Sequence, residues 1–179
     1  MREVRLMDER AIEGALARMA SGIVRRFGSG EPLGLIGIRT RGEFLARRLQ
    51  AVLEKRPKMK IPVGALDITV YRDDFDALQE EIKVRGSQIE FDVRGRRIVL
   101  VDDVLFTGRS VRAAIDAVMD LGRPSSIALA VLIDRGHREL PIRADFVGRT
   151  VKTGRRDEVQ VNLREVDTID RVILTRSVD

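Results

Sequence analysis

Twelve consecutive residues, Val99-Leu100-Val101-Asp102-Asp103-Val104-Leu105-Phe106-Thr107-Gly108-Arg109-Ser110, constrain this chain more than any other stretch. An apolar run of buried-strand character ends in two carboxylates. A loop with Thr, Gly and Ser follows, and a helical pattern starts near Ser110. In open α/β sheets ligands sit beyond the carboxyl ends of strands. A helix N-terminus offers free N–H groups and partial positive charge to a phosphate. Gly108 allows close backbone approach, Thr107 and Ser110 add hydroxyl donors, and Asp102 and Asp103 can accept hydrogen bonds from sugar hydroxyls. The segment therefore reads as a holder for ribose 5-phosphate. Two competing phosphate motifs, G-x-x-x-x-G-K-[ST] and G-x-G-x-x-G after a strand, are absent from the sequence.

The flanking pattern predicts an α/β domain. Asp8–Phe27 reads as an amphipathic helix with Asp8 as N-cap and Ile12, Leu16, Met19 and Ile23 at helical spacing. Strands are expected at Leu33–Ile38, Val63–Tyr71, Ile89–Val93, Arg97–Val101 and Ile127–Ile133, and helices at Glu43–Leu53 and Val111–Leu121. This alternation implies a mostly parallel central sheet covered on both faces. Short strand candidates at Asp145–Val147, Val159–Leu163 and Arg171–Leu174 suggest that residues from about 134 to 179 finish the sheet and add a small cap, or hood, to one domain spanning 1–179. Arg72–Gln88 is charged, weakly patterned and expected to be a loop.

Composition excludes several chemistries. The 179 residues contain no cysteine, and His137 is the only histidine, so disulfides, thiolate catalysis and multi-histidine metal sites within one chain are ruled out. Net charge is +5; five of the 33 basic residues are lysines, which leaves 28 arginines, the side chain suited to bidentate phosphate contact. No apolar run approaches the ~20 residues of a membrane span, and the charged first ten residues lack a signal-peptide core, which points to the cytosol.

The string of apolar residues, acidic pair and Thr-Gly-x-Ser resembles the phosphoribosyl pyrophosphate (PRPP) motif of type I phosphoribosyltransferases. Together with Leu66–Asp74, Gly122-Arg123-Pro124-Ser125-Ser126 and Asp134–Arg143, it resembles the PyrR family, bifunctional pyrimidine-operon regulators and uracil phosphoribosyltransferases, over about Leu6 to Leu163. The resemblance implies that Asp102 and Asp103 hold the ribose, that Thr107, Gly108, Arg109 and Ser110 hold the 5′-phosphate, and that Val104, Leu105 and Phe106 belong to the same PRPP and nucleotide site. It assigns Thr40, Arg41 and Gly42 to pyrophosphate, with a cis peptide near Thr40–Arg41. Arg72 and Arg85 become candidates to neutralise pyrophosphate from a loop over the reaction centre, so Asp102, Asp103 and Arg72 form the expected catalytic set. It implies that Arg135, and Val159 through its backbone, reach the nucleotide. Mg²⁺ is expected to arrive mainly on PRPP, with no dedicated protein ligands. Expected partners are PRPP, uracil, UMP or UTP, an mRNA leader and further copies of the chain. The RNA surface is expected to use Arg18, Arg25, Arg26, His137, Arg138, Arg143 and Arg149.

Three positions depart from that family's pattern. Phe106 stands where the family often has Tyr. The first helix carries Ala17 and Ser21 in the region where Thr and His are common. Lys152-Thr153-Gly154-Arg155-Arg156 replaces a Pro-Thr-Ser continuation. Phe106 bears on the base, because purine-salvage relatives usually place an Asp there for proton transfer, which an apolar ring cannot perform. Uracil transfer with RNA attenuation is thus preferred over two alternatives, a nucleotide-sensing RNA regulator with negligible catalysis and a purine phosphoribosyltransferase.

Overall fold

A computed structural model describes residues 2–28, 32–73 and 87–177. Five strands form a wholly parallel sheet in the order β3-β2-β4-β5-β6: β2 (Leu33–Ile38), β3 (Val63–Leu66), β4 (Arg97–Leu105), β5 (Ser126–Asp134) and β6 (Phe146–Thr150). Side chains alternate across β4, so Val99 and Val101 pack beneath helices α1 (Glu9–Phe27) and α2 (Arg41–Leu53), while Ile98 and Leu100 meet α3 (Arg109–Leu121) on the other face. Both faces are dry, as expected for parallel strands buried between helices. Asp8 caps α1 by accepting from the Ala11 N–H at 2.9 Å.

A second sheet is antiparallel, ordered β1-β8-β7, from β1 (Arg2–Met7), β7 (Glu158–Asn162) and β8 (Arg171–Arg176). A short helix, α4 (Arg164–Asp167), links β7 to β8. Val161, Leu163 and Val172 join the core beneath α1 and α2, which seats this hood on the main sheet.

Four expectations need correction. β1 was not anticipated, because a charged edge strand has no apolar run; its pairing with β8 defines it. The Val63–Tyr71 strand stops at Leu66, because Asp67 accepts from the Thr69 N–H and hydroxyl and turns residues 69–71 into a 3₁₀ turn. Ile89–Val93 is not a strand: Gln88 makes a single bridge to Ala65, and Ile89 and Phe91 pack on the α3-side core. The strand expected at Arg97–Val101 continues to Leu105, paired with β5 as far as Asp134, so the two carboxylates lie within β4.

Candidate active site

The strand order reverses between β2 and β4: the chain leaves β2 for one edge of the sheet and β4 for the other. The loops after these two strands meet at that switch point, where open α/β sheets form ligand crevices. Contact there is backbone-close. A Cβ on Gly42 would lie 2.4 Å from the Val101 carbonyl oxygen, and one on Gly37 2.3 Å from the Gly42 oxygen. Only glycine fits at either position.

Beyond β4, Gly108 takes φ +92° and caps α3, whose N-terminal turn opens at Arg109. The loop is held from behind, since the Thr107 carbonyl accepts from the N–H groups of Glu139 (2.9 Å) and Leu140 (3.2 Å). A cavity of about 290 Å³ is lined by Arg72, Asp73, Thr107, Arg109 and Ser110, which brings the polar segment after β3 to the phosphate-type loop. Arg109 pairs with Glu139 (2.8 Å) and Asp73 (2.7 Å). Arg85 and the rest of the expected loop over residues 74–86 lie outside the described residues. A larger hollow, about 610 Å³, lies between α1, α2 and α4 and contains none of the expected site residues.

Asp102 is buried and Asp103 half-buried. The Asp103 N–H donates to Asp102 Oδ1 (2.9 Å) and the Val104 N–H to Asp103 Oδ1 (2.8 Å). Burial, then the neighbouring Asp103 charge, pushes the Asp102 carboxyl well above the ordinary carboxylate range. Two adjacent carboxyls therefore differ in environment: one is enclosed, the other half-buried.

The Arg39–Thr40 peptide bond is cis, one bond before the expected position. Thr40 is exposed and Gly42 buried. Arg41 makes a two-point ion pair with Asp167 of α4, Nε to Oδ2 at 3.1 Å and Nη2 to Oδ1 at 2.8 Å. That hydrogen bonding, helped by the Asp167 and Asp103 charges against the opposing cost of burial, raises the Arg41 pKa further.

Phe106 forms an aromatic wall. The Arg135 guanidinium lies 4.0 Å from its ring centroid, and the His137 ring meets it edge-on at 5.8 Å. Arg135 is buried, which lowers its pKa against the opposing charges of Asp157 and Glu158, and it is held by the Thr153 hydroxyl (3.3 Å) and the Gly154 carbonyl (3.0 Å). His137 Nε2 lies 2.7 Å from the Thr153 carbonyl oxygen. Thr153 thus orients both; the divergence of residues 152–156 is the only sequence signal near this role. Val159 sits half-buried in β7, the hood strand that follows this segment.

Two of the expected RNA-facing residues are engaged within their own loop. Gly136 (φ +75°) and His137 (φ +64°) both adopt left-handed backbone, which turns the loop so that Arg138 points inward. Arg138 spends its donors on Ile142, Phe106 and Gly136 carbonyls and on Asp134 (2.6 Å), so it holds the loop together. His137 faces Phe106. Three of the other five meet near β6, whereas Arg143 lies with Val111 and Ile115 on the α3 side. Arg18 donates to the Gly148 carbonyl on β6 (3.3 Å), Arg26 pairs with Asp145 just before β6, and Arg149 on β6 donates to the Leu6 carbonyl. Arg25 and Arg143 are exposed. Among the described residues no group of three or more His, Cys, Asp or Glu is arranged to hold a metal ion, and no helix is long and apolar enough to cross a membrane.

A strand, glycine loop and helix start at a topological switch point, with a separate small sheet seated on the same domain, define a class that the family comparison makes explicit: residues 5–163 match the phosphoribosyl transferase domain. Solved structures agree on the fold. Hypoxanthine phosphoribosyltransferases of Trypanosoma cruzi and Staphylococcus aureus superpose with TM-scores of 0.74 and 0.70 at 17% and 18% identity, covering 96% and 97% of this chain and 94% and 91% of theirs. Sequence similarity goes further. The chain is 53% identical to the bifunctional protein PyrR of Caldicellulosiruptor bescii (94% of this chain, 93% of the relative), and 50% identical to that of Oceanobacillus iheyensis (97% of each). The chain belongs to the phosphoribosyl transferase family and, within it, to the PyrR proteins.

Proposed function

We propose that this chain transfers the phosphoribosyl group of PRPP to uracil, giving UMP and pyrophosphate, and binds a pyrimidine-operon mRNA leader in a uridine-nucleotide-dependent way to regulate transcription by attenuation. The observation that carries the base assignment is the wall of Phe106 under Arg135 and beside His137. An aromatic face edged by a guanidinium and an imidazole suits a planar pyrimidine. It offers no carboxylate at the position where purine transfer calls for one.

The reaction breaks the bond between ribose C1′ and the pyrophosphate oxygen, forms the bond from C1′ to uracil N1, and releases the N1 proton. Its transition state resembles an oxocarbenium ion, so the protein's work is positioning, charge neutralisation and exclusion of water. In this reading Thr107–Ser110 hold the 5′-phosphate, and Asp102 and Asp103 hold the ribose hydroxyls. The Thr40–Gly42 loop, with Arg41, Arg72 and Arg85, receives pyrophosphate. Arg135 and the Val159 backbone reach the base. Mg²⁺ on PRPP supplies positive charge against the pyrophosphate; the half-buried Asp103 fits a ribose that brings such an ion with it. The functional unit is read as one domain with its hood, assembled as a homo-oligomer in the cytoplasm.

Incubation with PRPP, Mg²⁺ and each of uracil, hypoxanthine and adenine tests the enzyme reading. UMP formation far above IMP or AMP formation is expected. Preferential turnover of hypoxanthine would overturn the base assignment, and UMP binding without turnover would leave sensing alone.

A further inference from the structure

The arginine assigned to pyrophosphate is gripped by the hood. Arg41 opens α2 immediately after the loop from β2, and Asp167 closes α4 immediately after the hood strand β7. Their two hydrogen bonds take the Nε and Nη2 edge of the guanidinium, while Nη1 and the outer hydrogens keep their donors for a ligand. Asp167 is itself fixed, because its Oδ2 also accepts from the Leu163 N–H at 2.9 Å and its own N–H donates to the Leu163 carbonyl at 2.6 Å. Both side chains are largely enclosed, at 28% and 18% exposure, so the pair is shielded more than a surface bridge. Two turns along α2, Arg48 grips the same hood segment through Glu165 and Asp170, the latter 5% exposed, so α4 is docked on α2 independently of Arg41. One carboxylate can therefore be removed while the hood stays seated.

We propose that Asp167 is a positioning residue for pyrophosphate: it sets the Arg41 guanidinium in a fixed orientation before PRPP arrives. An arginine free to rotate loses side-chain entropy on binding, and one held by a two-point pair has lost it already. The proposal rests on the reading of Arg41 as a pyrophosphate contact. Because UMP carries the phosphate, ribose and base but no pyrophosphate, it serves as an internal control. Calorimetry with the full chain is expected to show Asp167→Asn weakening PRPP binding about tenfold, the scale of a lost charged hydrogen bond, with UMP binding unchanged. In kinetics the KM for PRPP rises while kcat and the KM for uracil stay near wild type. On an Arg41→Ala background, Asp167→Asn adds no further loss. PRPP affinity equal to or tighter than wild type, an equal loss for UMP, or an undiminished effect on the Arg41→Ala background would each overturn the proposal. A wild-type chain that binds both ligands but makes no UMP from uracil would overturn the transferase reading and leave this one standing.

Discussion

The two halves of the site are built in opposite ways. The phosphoribosyl half is contiguous: a strand, an acidic pair, a left-handed glycine and a helix start lie within Val99–Ser110, and backbone geometry does most of the work. The half proposed for the base is collected from Phe106, Arg135, His137, Thr153 and the hood, and is held by side chains crossing between loops. A contiguous cradle keeps its geometry when one partner is lost but cannot tolerate a change in its own backbone. A collected wall is open to tuning by single substitutions in distant segments.

The sharpest way to test the contiguous half is Asp103→Asn. The residue is half-buried, two positions past the last β2 pair and still alongside β5, so folding should survive. We expect kcat/KM with PRPP and uracil to fall by about 10²–10³, the scale for removing a group that acts on developing charge, with the melting temperature near wild type. Near-wild-type kcat/KM would remove Asp103 from the site. Next in size is Gly108→Val. At φ +92° a β-branched side chain is strained, and it would also approach Ile142. UMP and PRPP binding are expected to weaken by roughly a hundredfold while circular dichroism stays native; unchanged UMP affinity by calorimetry would contradict the placement of the phosphate.

The same contrast explains what the sequence made legible. The cradle could be read because its chemistry and its hydrophobic run are local. The parallel sheet followed from apolar runs alternating with helical periodicity, whereas its strand order came only with the pairing. The hood was legible only in part. β1 has Arg2, Glu3 and Arg5 on an edge, so its partner 170 residues away, not its own pattern, makes it a strand. Arg138 shows the other limit: a charge is visible in sequence, but its direction depends on two successive left-handed residues before it. Asp167 lies in no motif, and only the docking of α4 on α2 reveals its partner.

A smaller effect separates stability from function within the cradle. Asp102 has its folded-state pKa raised by burial and by Asp103, so the folded chain binds its proton more tightly than the unfolded chain. Stability from this group is therefore complete below the ordinary carboxylate range and declines as pH rises toward the raised folded value. Asp102→Asn keeps an acceptor for the Asp103 N–H and removes the buried charge. Thermal melts are expected to show a higher Tm for the variant near neutral pH, by about 2–4 °C, a gap that closes on acidification, together with reduced transfer activity. A Tm that falls equally at all pH values would show that the carboxylate is not held at a cost.

The smallest expected effect tests whether the base half communicates with RNA. Arg18, Arg25 and Arg26 on α1 and Arg149 on β6 flank one edge of the sheet, and β6 pairs with β5, which runs directly into Arg135; Arg149 stands opposite Ile133 in that register. Ordering of the Arg135–Thr153 unit by UMP would then steady the strand that carries the basic edge, and RNA would bind a surface with less entropy left to lose. Linkage is reciprocal, so RNA should tighten UMP binding by the same factor. In filter binding at near-physiological salt, a hairpin leader of the chain's own pyrimidine operon should bind more tightly than a scrambled RNA, and UMP should widen the gap. Arg25, exposed on α1, contributes one phosphate contact in this reading. Arg25→Ala should weaken the leader only a few-fold and reduce the salt slope by about one unit. Arg138→Ala should act differently, by loosening the loop over Phe106 and raising the KM for uracil, because its donors are spent on loop carbonyls and Asp134. Equal affinity for leader and scrambled RNA, with and without UMP, would reject the regulatory half of the proposed function and leave the arginine edge as generic charge.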